Sequence, residues 1–393
     1  MKKLVALALT LVLILGCFGL FSCGEDKKGD AYKVAMVTDY GDITDQSFNQ
    51  TTYEACKAFC EAQNIEFKYY KPASNDTAAR VSSIESAIDE GFNVIVLPGY
   101  AFGEAIAKTS KNYKDVKFIA LDVSKGDLLE KMIPNYDYNP DGHTYEEAGI
   151  YMDNVYCAVY QEELSGYMAG YAAVKLGYKK LGFLGGMEVP AVQRFGYGFI
   201  QGVEAAAKEM NLDGVEVKYV YGGQFYGDAD IKARMDTWYK DGTEVVFACG
   251  GGIYVSAAEA ATAEGVNGKI IGVDVDQKAI IDGKYGNGLT VTSAMKGLYP
   301  TTYDTLTDVI VNGKWDNYKG KIATLGLVSA TDPTKNYVQI PMDSTQWADG
   351  KFTQEDYKGL VAKMFNKQIT VSNDISAHPK VEKITVNYES NIK

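Results

Sequence analysis

The chain has 393 residues, 46% of them apolar, enough for sizeable cores and, at ~150 residues per domain, for two or three of them. Its formal charge of −12 disfavours nucleic acid and any strongly anionic ligand. Two histidines and no CxxC pair among six cysteines exclude a Cys/His zinc cluster, so Cys56, Cys60, Cys157 and Cys249 read as buried free thiols.

Met1-Lys2-Lys3 is a basic start, and residues 4–21 are almost wholly apolar. A polar tract follows, with no second apolar span downstream, which is the pattern of a secretion signal. Leu20-Phe21-Ser22-Cys23 resembles the lipobox of bacterial lipoproteins; Ile14-Leu15-Gly16-Cys17 competes with it. Cys23 is preferred because residues 24–30 then form a polar tether, whereas Cys17 would leave Phe18 to Phe21 exposed. The alternative is an ordinary cleaved signal with an incidental cysteine. Residues 1–22 are thus expected to be a signal peptide and 23–31 a lipidated tether. A diacylated Cys23 would hold the protein on an extracytoplasmic membrane face, periplasmic or cell-surface, without spanning it. Loss of Lys2 and Lys3 takes the charge to −14.

Beyond the tether, apolar runs alternate with amphipathic segments. Strands are expected over 32–37, 65–70, 94–98 and 117–122, with helices over 48–63, 78–90 and 103–113. A second run begins after Asp153. It has helices over 162–176, 192–210, 229–240 and 255–264, and strands over 180–185, 216–221, 245–248 and 270–274. Further on come a strand at 289–293 and helices at 299–312 and 356–366. Such βαβα alternation predicts an α/β chain of parallel sheets flanked by helices, and the shared rhythm of the two runs predicts two similar lobes.

The most informative stretch is Gly-Asp-Ile-Thr-Asp-Gln-Ser-Phe-Asn-Gln at 41–50, on the turn from first strand to first helix. Open α/β sheets bind small molecules at such turns. Ser47, Phe48 and Asn49 there offer a hydroxyl, an aromatic face and an amide. Aspartates recur where strands end, at Asp39, Asp122 and Asp274, so their carboxylates face the same end of a sheet. Glycine turns at 185–186 and 250–252 permit close backbone approach, with Gly250 and Gly251 the candidates. No phosphate-binding G-x-x-x-x-G-K-[ST] is present, and no strand precedes Gly196-Tyr197-Gly198. No G-x-S-x-G or H-E-x-x-H occurs either, so binding without catalysis is expected. Phe48 and Phe225 lie in strand-end loops of the two runs, where a planar base could be clamped between them.

Together these motifs resemble the basic-membrane-protein family of bacterial lipoproteins, substrate-binding proteins of ABC importers. The match runs from about Lys33 to Val371. Besides residues 41–50, it rests on Leu184-Gly185-Gly186-Met187-Glu188-Val189-Pro190 with Phe195 and Gly198-Phe199-x-x-Gly202. Gly223-Gln224-Phe225, Ile271 to Gln277 and Thr292-Ser293-x-x-Lys296 complete it.

The resemblance implies a two-lobed fold of the periplasmic-binding-protein type I kind with three crossings. These are expected near 154–156, 277–278 and 313–315, giving lobes 32–155 with 278–314 and 156–277 with 315–393. It implies a nucleoside ligand, no cofactor, a monomer, and partnership with an ABC permease and its ATPase. Phe48 and Phe225 would stack on the base, Asp122 and Asp39 would face its edge, and Ser47 and Asn49 would shape that wall. Asp274 would take the ribose hydroxyls, Lys296 would stand beside the sugar, and Gly250 or Gly251 would approach the ribose. A sugar or polyol receptor of the same fold is the alternative, with an extracellular hydrolase and a surface adhesin behind it. Phe225 is followed by Tyr226-Gly227-Asp228, one residue more than the family pattern before the Asp.

Overall fold

The computed structural model describes residues 32–39 and 41–393, so Cys23 and its flanks lie outside the described residues. Residues Lys33–Lys393 form one compact unit. The first run comprises β1 (Val34–Val37), α1 (Phe48–Gln63), β2 (Phe67–Tyr70), α2 (Thr77–Asp89) and β3 (Val94–Pro98). It continues through α3 (Gly103–Thr109), β4 (Lys117–Leu121), α4 (Lys125–Leu129) and β5 (Val155–Tyr160). The second holds α5 (Glu162–Leu176), β6 (Lys180–Gly185), α6 (Pro190–Glu209), β7 (Glu216–Tyr221) and α7 (Ala229–Lys240). Next come β8 (Val245–Cys249), α8 (Tyr254–Ala261), β9 (Lys269–Asp274), α9 (Lys278–Tyr285) and β10 (Thr290–Lys296). The remainder supplies α10 (Leu298–Leu306), β11 (Lys321–Leu325), β12 (Val338–Gln339), α11 (Gln354–Phe365) and β13 (Thr385–Tyr388).

Two sheets result, in the orders β11-β5-β4-β3-β1-β2 and β12-β10-β9-β8-β6-β7-β13. All pairings are parallel except β10 with β12. β1, β3 and β8 are buried along their whole length, as strands covered on both faces must be. Each sheet carries its own apolar core, one around Phe92, Phe102 and Phe118, the other around Trp238, Tyr239 and Tyr254.

The lobe boundaries differ from those expected. β5 completes the first sheet instead of opening the second lobe, β10 lies in the second sheet, and β11 returns to pair with β5. The physical reason is burial. Thr290–Lys296 is buried at six of seven positions, which requires a neighbour on each side, here β9 and β12. After β10 the chain recrosses, and α10 packs on α1 through Tyr303 edge-on to Phe59, ring centroids 5.7 Å apart. The passages between lobes therefore fall at residue 161, at 297 and between 326 and 337. No strand forms at Ile369–Val371; the last strand is β13.

Close backbone packing fixes α5 against α6. Added Cβ atoms at Gly198 and Gly202 would lie 2.1 Å from the carbonyl oxygens of Glu163 and Tyr167. At Gly166 and Gly170 they would meet Phe195 and Phe199 at 2.2 and 2.3 Å. The glycines of the sequence motif thus let two helices touch main chain to main chain.

Candidate ligand-binding cleft

The carboxyl ends of both sheets face a cavity of about 350 Å³. Asp39, Phe48, Asn49, Asp122, Phe225, Gly250, Gly251, Asp274 and Lys296 all line it. Ser47 is fully buried and reaches the cleft only through Asp274. The strand ends bring these residues together, as parallel sheets do with successive strand-end loops.

The first wall is organised by Asp45. Its carboxylate accepts from the backbone N–H of Ser47 (2.9 Å), Asn49 (2.9 Å) and Gln50 (3.1 Å), satisfying the exposed donors at the start of α1. That frees the Ser47 hydroxyl from capping. It donates instead to Asp274 Oδ2 at 2.5 Å, a bond from the first lobe to the second. A second such contact runs from Gln277 Nε2 to the Gln46 carbonyl at 3.2 Å.

Lys296 stands where both lobes meet. Its ammonium pairs with Asp122, lies 3.8 Å from Asp274 Oδ1 and 3.7 Å from Glu162 Oε1, and sits 4.6 Å from the Phe48 ring centroid. Burial pushes its pKa down, but the three carboxylates outweigh that and hold it above the usual lysine value. Burial raises the Asp274 carboxyl against the pull of Lys296 and the Ser47 hydroxyl. Burial likewise raises Glu162, opposed by Arg194, whose Nε donates to Glu162 Oε2 at 2.7 Å. Five charged groups thus share one buried cluster, with the Lys296 side chain only 3% exposed. Asp122 Oδ1 and Asn49 Oδ1 are buried without a hydrogen-bond partner among the described residues. Two acceptors are therefore left for a donor in the cleft.

Asp122 and Asp274 both adopt left-handed backbone, φ 60° and 65°. Such conformations cost about 1–3 kcal/mol in a non-glycine residue and concentrate at functional sites. Phe225 lines the cavity from the loop after β7. An added Cβ would fall 2.3 Å from its ring at Gly186 and 2.8 Å at Gly250, so the glycine turns seat the aromatic. Tyr226 also lines the cavity but is largely exposed.

Sequence reasoning missed Glu162, Arg194, Tyr160, whose ring centroid lies 5.6 Å from the Lys296 ammonium, and the cavity-lining Lys71 and Asp127. Arg194 carried a signal: it is one of three arginines in the chain and follows the motif at 184–190. Glu162 carried none, because its role depends on how α5 meets α6.

The sequence model of the Bmp family, described as ABC transporter substrate-binding protein PnrA-like, matches residues 32–374. The ABC transporter nucleoside-binding protein BmpA of Lactococcus lactis subsp. cremoris is 27% identical over 382 residues, covering 90% of this chain and 99% of the relative. Basic membrane protein A of Borreliella burgdorferi is 26% identical over 386 residues, with 96% and 98% covered. Among solved structures, an ABC transporter solute-binding protein from Aeropyrum pernix K1 superposes with a TM-score of 0.63 at 22% identity, covering 86% of this chain and 87% of that one. One from Conexibacter woesei gives 0.61 at 21%, covering 87% and 99%. At these identities the structures speak for the fold, an α/β architecture of parallel-sheet lobes shared with solute-binding proteins. The family match spans most of the chain, and the chain belongs to the Bmp family of PnrA-like ABC transporter substrate-binding proteins.

Proposed function

We propose that this protein binds a nucleoside, with a purine base, in the cleft and delivers it unchanged to an ABC permease and its ATPase. The observation that carries the reading is that Phe48 and Phe225, from different lobes, line one cavity beside the buried Asp274–Lys296 pair. Two aromatics from different lobes suit a flat base, and each stacking contact contributes roughly 1–3 kcal/mol. Lys296 covers one face of Phe48, so the base takes the other. Asp274 accepts the ribose hydroxyls, Lys296 donates beside the sugar, and Gly250 and Gly251 admit it closely. Asp122 Oδ1 and Asn49, with Asp39 near them, take donors on the base edge. Ser47 aligns Asp274. The name of the Lactococcus relative, nucleoside-binding protein, supports the same ligand class.

The cavity is lined by Asp39, Asp42, Asp45, Asp122, Asp127 and Asp274 against Lys71, Arg194 and Lys296. That excess of carboxylates opposes a phosphate, so the ligand is a nucleoside and not a nucleotide. Cys23 is the proposed lipidation site, holding a monomeric receptor on the extracytoplasmic membrane face. Among the described residues no helix is long and apolar enough to cross a membrane. A Cys23→Ala variant should lose its acyl mass and leave the membrane fraction; retention there would overturn the anchor.

Titration calorimetry tests the ligand. The chain from residue 24 is unfolded and refolded to strip carried ligand, then titrated with inosine, guanosine, adenosine, cytidine, ribose and a nucleoside monophosphate. Tight nucleoside binding, lost in Phe48→Ala and Asp274→Ala, is expected. Binding of bare ribose would move the ligand to the sugar class, and comparable affinity for the nucleotide would overturn the charge argument.

A further inference from the structure

The last 22 residues run back across the second lobe and end at the loop that carries Phe225. Ser372 exchanges two hydrogen bonds with the Gln201 side chain, both 2.9 Å. The Glu204 carboxylate accepts from the backbone N–H of Glu382, Lys383 and Ile384 at 2.9–3.2 Å. β13 then adds to β7 in parallel, pairing Thr385 with Glu216 through Tyr388 with Tyr219. Glu389 is anchored by Trp238 Nε1 at 3.0 Å and Arg234 at 2.5 Å.

Past that anchor the chain turns to the cleft. The Ile392 N–H donates to the Tyr221 carbonyl at 2.9 Å, at the end of β7. Asn391 Nδ2 donates to Glu188 at 3.2 Å, in the glycine-containing turn before α6. The Lys393 ammonium pairs with Asp228 and donates to Gln224 Oε1 at 3.3 Å. Gln224 Nε2 in turn donates to the Tyr226 carbonyl (3.0 Å) and to Asp228 (2.8 Å), while Asp228 caps α7 through Ile231 N–H at 2.9 Å. Phe225 lies inside this ring of bonds.

We propose that residues 391–393 are a positioning element of the cleft, closing the 222–228 loop around Phe225 and so setting how well that aromatic is ordered before ligand arrives. The ligand part rests on the nucleoside reading above. An aromatic wall that must be ordered on binding costs affinity. The tail removes that cost in advance. The first lobe has no such device: β2, the counterpart of β7, is an edge strand without a further partner among the described residues.

The test compares the chain from residue 24 with the same chain lacking 391–393, and with Lys393→Ala and Lys393→Arg. Glu389 and β13 stay in every variant. Nucleoside affinity should fall roughly tenfold on deletion and about two- to fivefold in Lys393→Ala, the range of a partly exposed pair, with Lys393→Arg restoring it. In a Phe225→Ala background the deletion should change affinity by less than about twofold, because coupled residues do not add. A general destabilisation would lower affinity equally in both backgrounds, and that result overturns the proposal. Amide hydrogen exchange of the ligand-free proteins gives an arm independent of ligand: residues 222–228 should exchange faster after deletion, while β6 and β8 do not. Unchanged exchange there also overturns it. Should the intact chain bind no nucleoside, the nucleoside reading falls, and exchange alone decides whether the tail orders the loop.

Discussion

The two lobes share one backbone plan and furnish the cleft differently. Taken from β2 and from β7, their strand orders correspond position by position. In each, the third strand ends in a glycine of positive φ, Gly99 at 126° and Gly250 at 151°, and the fourth ends in a left-handed aspartate, Asp122 or Asp274. The fifth strands lead into crossings flanked by Glu162, which opens α5, and Lys296, which ends β10. Yet the first wall presents carboxylates and an aromatic fixed at a helix start. The second presents Asp274, Lys296, glycines and an aromatic on a loop, braced from outside by residues 391–393. The scaffold thus provides matched strand-end positions, and the residues placed there decide which wall is rigid by construction and which must be propped.

The largest effect should come from the cation that both lobes share. Lys296→Met leaves Asp122, Asp274 and Glu162 buried together without it, and breaking a buried ion cluster costs about 3–5 kcal/mol. Urea unfolding at pH 7.5 measures this. The loss should shrink as pH falls, since Asp274 and Glu162, which burial already raises, then take up protons. A change below 1 kcal/mol would show that the lobes do not depend on Lys296. Next is the main-chain packing of α5 on α6 in the second lobe. Gly198→Ala drives a methyl into the Glu163 carbonyl and should cost about 3 kcal/mol. Gly126→Ala in α4 of the first lobe meets nothing nearer than 3.6 Å and should cost little. Equal melting shifts in the two would break the contrast.

Much of this arrangement was legible in the sequence. The periods of 162–176, 180–185 and 229–240 correspond to α5, β6 and α7 residue for residue. Once strands were assigned, the positions of Asp39, Asp122 and Asp274 at one end of the sheets followed. β5 was missed because Val155–Tyr160 is uniformly apolar and runs straight into α5, so no alternation marks it. β11 and β13 were missed because edge strands of mixed polarity are specified by their partners more than by their own residues. The Glu162–Arg194 pair needed the α5–α6 crossing, a tertiary fact. Likewise, only its three backbone bonds show that Asp45 serves α1.

A pH experiment sharpens the comparison further. Glu163, in the first turn of α5, has its pKa pushed up to about 7 by burial, and its Oε2 finds no hydrogen-bond partner among the described residues. Asp127, in the first turn of α4, is pushed by burial only to about 6, because Ser124 donates to it from N–H (2.7 Å) and Oγ (2.6 Å). Both folded values are raised, so the native state holds more protons than the unfolded chain between the two pKa values. Stability therefore falls as pH rises from about 4.5 to 7, by roughly 2–3 kcal/mol for Glu163. Glu163→Gln should flatten that slope more than Asp127→Asn does. A wild-type profile already flat across this window would remove the argument.

The smallest effect tests how the walls are joined. In Ser47→Ala the hydroxyl bond to Asp274 is lost, while Asp45 still satisfies the start of α1, so the melting temperature should hardly move. The lost bond is one that the closed arrangement makes between lobes, worth about 1 kcal/mol, or roughly fivefold in affinity, if ligand binding and closure are coupled. Asp45→Ala should do the reverse, lowering the melting temperature through the lost helix start, by about 1 kcal/mol. Calorimetric titration beside thermal unfolding of the two variants separates the roles. Should Ser47→Ala lower stability as much as affinity, its hydroxyl belongs to the fold of the first lobe and not to the closure of one lobe on the other.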